Sequence, residues 1–212
     1  MCNSVVQSNT SDAMRTNLVS APVYVVLLHH PIRNRNGLEV TTAVTNMDIH
    51  DIARTARTYG VKRYFIVTPI QDQHELVGRI LAHWRTDRAK VEHPDRVEAL
   101  SGVELAGTFS EVKERIHSET GEWPEVVLTD ARQMPNQVSY TEFRRDWQEA
   151  VAKGRTRPLV IVYGTGWGVA ESFFSEVHRI LDPIYGPGKE AGYNHLSVRA
   201  AAAVILDRLF GL

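Results

Sequence analysis

Pro158-Leu159-Val160-Ile161-Val162-Tyr163 runs directly into Gly164-Thr165-Gly166-Trp167-Gly168, and this junction decides the fold. An unbroken apolar run rich in valine is the signature of a strand buried on both faces, as in a parallel sheet. Three glycines at alternate positions then break the strand and let backbone approach a ligand or another segment closely. Further on, Asp182-Pro183-Ile184-Tyr185-Gly186-Pro187-Gly188 forms a second glycine-proline loop. Tyr193-Asn194-His195-Leu196-Ser197-Val198-Arg199-Ala200 then leads into a closing helix. Two backbone-lined loops near one sheet edge are suited to hold a small polar cofactor through main-chain groups. The site is therefore expected in the C-terminal quarter.

Outward from this junction the chain alternates strand and helix. Val23–His30 reads as a buried strand, followed by a helix over 48–59 with Ile49, Ile52, Ala53 and Ala56 at helical spacing and Gly60 as its stop. Arg63–Thr68 is the next strand, and Asp72 is expected to cap a helix reaching Trp84. Residues 86–102 are the most polar interior stretch and read as a loop or insertion. Strands at 103–107, 126–129, 159–163 and 179–181 alternate with helices at 110–120, 140–152, 169–177 and 194–209. This order predicts an α/β fold, a mostly parallel sheet with helices on both faces, in one domain spanning 21–212.

Composition sets the outer limits. The 212 residues are 43% hydrophobic and 23% charged, enough for one sizeable globular core. The single cysteine, Cys2, precludes an internal disulfide and points to a reducing cytoplasm. Residues 1–20 lack a basic start and an apolar core, so they read as a disordered tail rather than a secretion signal. No run of eighteen apolar residues occurs, and no membrane contact is expected. The formal net charge of −1 does not advertise nucleic-acid binding. Local clusters do exist, at Arg33 and Arg35, at Arg54, Arg57, Lys62 and Arg63, and from Arg144 through Arg157, and each also reads as a solvated surface.

The glycine loop fits neither standard nucleotide motif. A dinucleotide fingerprint needs G-x-G-x-x-G after the first strand, whereas G-x-G-x-G follows a late one here. A P-loop needs a lysine and a hydroxyl residue after its last glycine, and neither is present. An unliganded helix-entry turn stays open as the plain alternative.

Three segments in order resemble the motifs of the SPOUT superfamily, the α/β-knot RNA methyltransferases. Tyr163-Gly164-Thr165-Gly166-Trp167-Gly168-Val169-Ala170 is similar to the second motif, and Asn194-His195-Leu196-Ser197-Val198-Arg199-Ala200-Ala201 to the third. Asn46 to Ala56, with Ile52-Ala53-Arg54-Thr55-Ala56, resembles the first. The resemblance covers residues 21–212 and looks closest to a bacterial single-domain family whose members also occur fused to tRNA (guanine-N1)-methyltransferase. It implies a C-terminal trefoil knot, bent S-adenosylmethionine held in that knot, a homodimer, and an RNA substrate, most readily tRNA.

The resemblance also implies the site. Backbone at Leu128-Thr129, Gly164, Ile184 and Leu196 would meet the cofactor, with Gly166, Gly168, Gly186, Gly188 and Ser197 shaping the cradle. Trp167 is placed either to stack on a ligand or to anchor packing. Arg54 matches the family arginine that contacts the RNA phosphate and the attacking ribose hydroxyl, and Asp48 or Asp51 is the candidate proton acceptor for a base nitrogen. His195 is the candidate titratable group beside the pocket. His29, His30, His50 and His195 with the two aspartates lack metal-ligand spacing, so no metal is expected. Two departures stand out: Thr165 replaces a glutamate usual in the second motif, and Tyr193-Asn194-His195 replaces a serine-leucine-asparagine run. They keep open a non-catalytic RNA- or cofactor-binding relative, and a methyltransferase of a non-RNA substrate.

Overall fold

The computed structural model describes residues 21–190 and 192–212; the tail expected at 1–20, with Cys2, lies outside the described residues. Seven strands form one sheet: β1 (Val23–Leu28), β4 (Arg63–Val67), β5 (Val103–Ala106), β6 (Glu125–Thr129), β7 (Gln137–Val138), β8 (Leu159–Gly164) and β9 (Arg179–Leu181). Their order is β5-β4-β1-β8-β6-β9-β7, and every pairing is parallel. Two further two-residue strands, β2 (Ile32–Arg33) and β3 (Glu39–Val40), make a small antiparallel hairpin after β1.

Alternation along β1 shows how the sequence builds two cores from one strand. Val23, Val25 and Leu27 join the core on one face, while Tyr24, Val26 and Leu28 join that on the other. The first face carries helices α1 (Asn46–Thr58), α2 (Gln71–Trp84), α4 (Pro94–Ser101), α6 (Tyr140–Ala152) and α7 (Val198–Phe210). The second face is covered by α5 (Phe109–Thr120) and a short 3-10 turn, Glu171–Glu176, through Phe109, Val112, Ile116 and Phe173. Helices thus lie on both faces, in unequal number. The apolar stripe of the last helix is spent inside the chain: Ala202, Ile205, Leu206 and Leu209 are all buried.

Several boundaries differ from the sequence expectation for identifiable reasons. The stretch at 86–102 is not a loop but two short helices, α3 (Asp87–Glu92) and α4. Thr86 caps the first through its side chain, Pro94 opens the second, and Ala89, Ala99 and Leu100 give them a buried side. The run is polar because only one narrow face is covered. Asp72 does not cap α2; Ile70 holds the cap position without a side-chain bond, and Asp72 sits inside the first turn. Thr108 caps α5, so it begins at Phe109 ahead of Ser110. The helix expected at 169–177 is the 3-10 turn, and α7 begins at Val198 because Ser197 caps it, leaving Asn194 and His195 in the preceding loop.

Candidate functional site

All seven parallel strands point their carboxyl ends at one edge of the sheet, the edge where such folds hold ligands. Three segments distant in sequence meet there. Thr165, just past β8, donates its hydroxyl to the Leu28 carbonyl at 3.1 Å and contacts the Thr42 hydroxyl at 2.5 Å. Thr42 in turn lies 3.0 Å from His29 Nδ1. One proton order satisfies all three contacts, with His29 Nδ1–H donating to Thr42, Thr42 to Thr165, and Thr165 to the carbonyl. His29 is wholly buried, and burial pushes its pKa down to about 4 against an opposing pull from the Asp48 carboxylate, so the ring is neutral near pH 7.

The glycines of this loop are fitted to protein on both sides. Gly166 has φ +56°, and a Cβ there would stand 3.1 Å from Ile32 Cγ2 and 3.3 Å from Thr42 Cγ2. Gly168 has φ +92°, and a Cβ would fall 2.8 Å from both Arg132 Nη2 and Asp130 Oδ2. At Gly164 the obstacle is Val169 Cγ1, at 3.1 Å. The loop is therefore clamped between the β2–β3 hairpin and the Asp130–Arg132 ion pair, whose N···O distance is 2.7 Å. Arg132 also donates to the Val169 carbonyl at 3.1 Å.

The second loop, 182–197, is open by comparison. Asn194 Nδ2 donates to the Ile184 carbonyl at 2.9 Å, and the Tyr193 N–H to the Gly188 carbonyl at 2.9 Å, which closes its ends together. A Cβ at Gly188 would lie 3.0 Å from that Tyr193 carbonyl oxygen, while one at Gly186 would meet nothing within 4 Å. Among the described residues, the peptide N–H groups of Gly166, Ile184, Gly186 and Leu196 make no backbone hydrogen bond. Such donors beside the strand ends suit a small polar ligand. Leu128 is fully buried in the second-face core and Thr129 donates to the Val162 carbonyl at 3.0 Å, so this strand end offers main chain only. Trp167 is 64% exposed and does not anchor packing.

Of the side chains expected to act, Asp48 is the best held. It is buried, accepts from Thr45 Oγ1 at 2.6 Å, and pairs with Arg199 Nη1 at 3.1 Å, while Asp51 meets Arg199 Nε at 3.4 Å. This ion-pair set ties the start of α1 to the start of α7. Arg54 is exposed and makes no ion pair among the described residues. At 3.6 residues per turn it lies roughly 120° around α1 from Asp48. It shares its flank with His50, whose ring packs edge-on to Trp84, and with Arg57, which pairs with Glu98. Asp51, which also meets Arg199, lies three residues before Arg54 on the same side of the helix, so Arg54 sits on the far side of Asp51 from Asp48. His195 is exposed, its ring edge-to-face with Tyr193 at 5.5 Å. Among the described residues, no three His, Cys, Asp or Glu side chains are grouped to hold a metal.

The basic clusters sort themselves. Arg57, Lys62 and Arg63 pair with Glu98, Glu119 and Glu104, and Arg145, Lys153 and Arg155 pair with Asp146, Glu149 and Glu125. Arg144 and Arg157 go to main-chain carbonyls, and Arg33, Arg35 and Arg54 make neither an ion pair nor a side-chain hydrogen bond among the described residues. Two open clefts lie away from the glycine loop. One, of about 940 Å³, runs between α6 and α7 and touches the second loop at Asp182, Pro183 and Tyr185. The other, of about 830 Å³, sits by Pro22, Gly60 and Gly102 at the opposite edge of the sheet. Sequence reasoning missed Thr42, Asp130 and Arg132 as site-forming residues. Thr42 meets Thr165 across 123 positions, so no local pattern announces the contact.

A family model described as SAM-dependent RNA methyltransferase matches residues 22–211. An uncharacterized protein of Aquifex aeolicus is 42% identical over 193 residues, covering 91% of this chain and 90% of its own length. A tRNA (guanine-N(1)-)-methyltransferase of Oleidesulfovibrio alaskensis is 37% identical over 189 residues, covering 89% of this chain. The match spans 42% of that longer relative. Two solved structures share the fold. One, named "Probable Methyltransferase", from Bordetella pertussis Tohama I, has a TM-score of 0.60 at 14% identity over 94% of this chain and 97% of its own. The SpoU methyltransferase AviRb from Streptomyces viridochromogenes, in complex with the cofactor AdoMet, has a TM-score of 0.51 at 15% identity, covering 90% of this chain and 57% of its own.

Proposed function

The chain belongs to the SAM-dependent RNA methyltransferase family, and we propose that it methylates a tRNA nucleotide, at a ribose 2′ oxygen or a base nitrogen, as a cytoplasmic homodimer. Its cofactor is S-adenosylmethionine. The tRNA assignment draws on relatives named tRNA (guanine-N(1)-)-methyltransferase, of which this chain matches less than half. No helix among the described residues is long and apolar enough to cross a membrane.

One observation carries the reading. The starts of α1 and α7 are bolted together by Arg199 to Asp48 and Asp51, beside a glycine loop fixed by Thr165, Thr42 and His29. The residues present suit the cofactor: among the described residues the peptide N–H groups of Gly166, Ile184, Gly186 and Leu196 make no backbone hydrogen bond, and they lie in the two loops that carry Gly164, Gly168, Gly188 and Ser197. Bound there, S-adenosylmethionine supplies a methyl group already activated on sulfonium. The protein then has to position the nucleophile and ease loss of its proton.

Arg54 is the residue for that task. A guanidinium stays charged below about pH 12, so it neutralises an RNA phosphate and orients the acceptor rather than acting as a base. Asp48 has both carboxylate oxygens engaged, and its role in this reading is to hold the two helix starts together. His195, exposed at the mouth of the second loop, is free to meet RNA. Arg54 is exposed and has no ion-pair partner among the described residues, and the reading includes a dimer in which Arg54 of the partner subunit completes each site. Met47 at 58% and Leu196 at 52% exposure, flanking the bolted helix starts, supply apolar surface for that contact. The trefoil knot belongs to the same reading. In its support, the chain passes from β8 to β9 on the far side of β6 and returns to α1.

The test is transfer of labelled methyl from S-adenosylmethionine to bulk tRNA, with sedimentation to give the oligomeric state. Wild-type dimer should label tRNA, and Arg54→Ala should keep cofactor affinity while losing turnover by about a hundredfold. A cofactor-binding protein that labels ribosomal RNA but not tRNA would overturn the substrate assignment.

A further inference from the structure

The β2–β3 hairpin has no role in the reading so far, yet its construction is specific. Asn34 organises the turn: its side-chain oxygen accepts the N–H groups of Asn36 at 2.9 Å and Leu38 at 3.0 Å. Its carbonyl accepts the Gly37 N–H at 3.0 Å, with Gly37 at φ +80°, where a side chain would strain the turn. The tip is thus held in one shape before any partner arrives, which lowers the cost of binding.

The hairpin is also welded to the cofactor loop. The Arg33 N–H donates to the Gly168 carbonyl at 2.9 Å, the Trp167 N–H to the Arg33 carbonyl at 3.2 Å, and the Ala170 N–H to the Pro31 carbonyl at 3.1 Å. Ile32 and Val169 form a β-bridge at the same place. These bonds hold the main chain of the arginine-bearing hairpin against that of Trp167, whose side chain is exposed. Neither arginine makes an ion pair among the described residues: Glu39, opposite Arg33 across the hairpin, is engaged by His30 and by the Ser172 hydroxyl instead, whereas the other two clusters are mostly spent on internal pairs.

We infer that this hairpin is an arm that grips the substrate RNA beside the cofactor loop, with Arg33 and Arg35 on phosphates and Trp167 stacked on an unpaired base. The inference rests on the tRNA reading above and adds where and how that RNA is held. Uncompensated guanidiniums select a polyanion, since a protein partner would have to bring carboxylates to both. An exposed indole beside them gives a π-face that any base can cover. The Asn34 side-chain oxygen is spent on the turn, and guanidinium and indole contacts read charge and base face, so the arm holds an unpaired segment without demanding one sequence.

Two measurements on the full chain test it, with bulk tRNA as the probe: fluorescence anisotropy across a salt series, and quenching of tryptophan emission. The double variant Arg33→Gln, Arg35→Gln should lose at least tenfold in affinity. Its log–log salt slope should fall by about 1.4, as two lost single-strand phosphate contacts require. Its melting temperature and S-adenosylmethionine affinity should match wild type, which separates lost contact from lost fold. Trp167→Phe should bind tRNA yet lose most of the quenching seen in wild type. Unchanged affinity and slope in the double variant, or quenching that persists in Trp167→Phe, would overturn the arm while leaving the tRNA reading intact. Wild-type protein that binds no tRNA would overturn both.

Discussion

The loops after β8 and β9 both depend on glycine, yet one is filled by its own protein and the other is left open. At Gly164, Gly166 and Gly168 the space a side chain would take already belongs to Val169, to Ile32 and Thr42, and to Arg132 and Asp130. At Gly186 that space is empty. Glycine at the first loop lets chain pack on chain; glycine at the second keeps a surface clear. The first loop sets the geometry of the edge, and the second is where a ligand has room.

The largest effect should separate these two roles. Gly168→Ala puts a Cβ against the side-chain ends of Arg132 and Asp130 at positive φ; those ends can shift, so backbone strain carries the cost, about 3 kcal/mol of stability. Gly186→Ala should change stability by less than about 0.5 kcal/mol. Denaturant midpoints compare the two directly, and equal shifts would break the distinction.

A pH titration probes the base of the same loop. The folded-state pKa of His29, about 4, lies below its ordinary 6.5, so the unfolded chain takes up the proton first as pH falls. Stability from this group is complete above pH 6.5 and is lost on descending to about 4. The full shift is worth about 3 kcal/mol. The slope in that window should flatten in His29→Gln; a wild-type curve already flat there would remove the buried neutral histidine from the account.

A smaller effect should follow at the bolt between helices. Arg199→Ala strands the buried Asp48 carboxylate and should cost about 2 kcal/mol. Asp48→Asn combined with Arg199→Ala should recover part of that loss, because no buried charge is then left alone. A double variant worse than the sum of its singles would contradict the pairing.

Much of this was legible in the sequence. The buried strands at 23–30, 63–68 and 159–163 declared a parallel sheet through their unbroken valine-rich runs, and the three motif segments pointed to the C-terminal quarter, where the candidate site is proposed. The hairpin at 32–40 was not seen, because its strands are two residues long and leave no alternation to read. The helices inside 86–102 were hidden by polarity, since Ala89, Ala99 and Leu100 give so narrow an apolar face. The clamp on the glycine loop was out of reach for a different reason. Glycine spacing shows that something comes close, but the partners, Thr42 on one side and Arg132 on the other, are set by tertiary contact.

Titration of S-adenosylmethionine into wild type and Gly186→Val tests the placement of the cofactor most directly. Gly186 has φ −119° and ψ 171°, an extended conformation that valine adopts freely. With open space around it, the variant should fold as wild type does. Micromolar binding by wild type, lost or weakened at least tenfold in the variant at unchanged melting temperature, is the predicted result. Equal affinity in both proteins would contradict a cofactor held between the two loops.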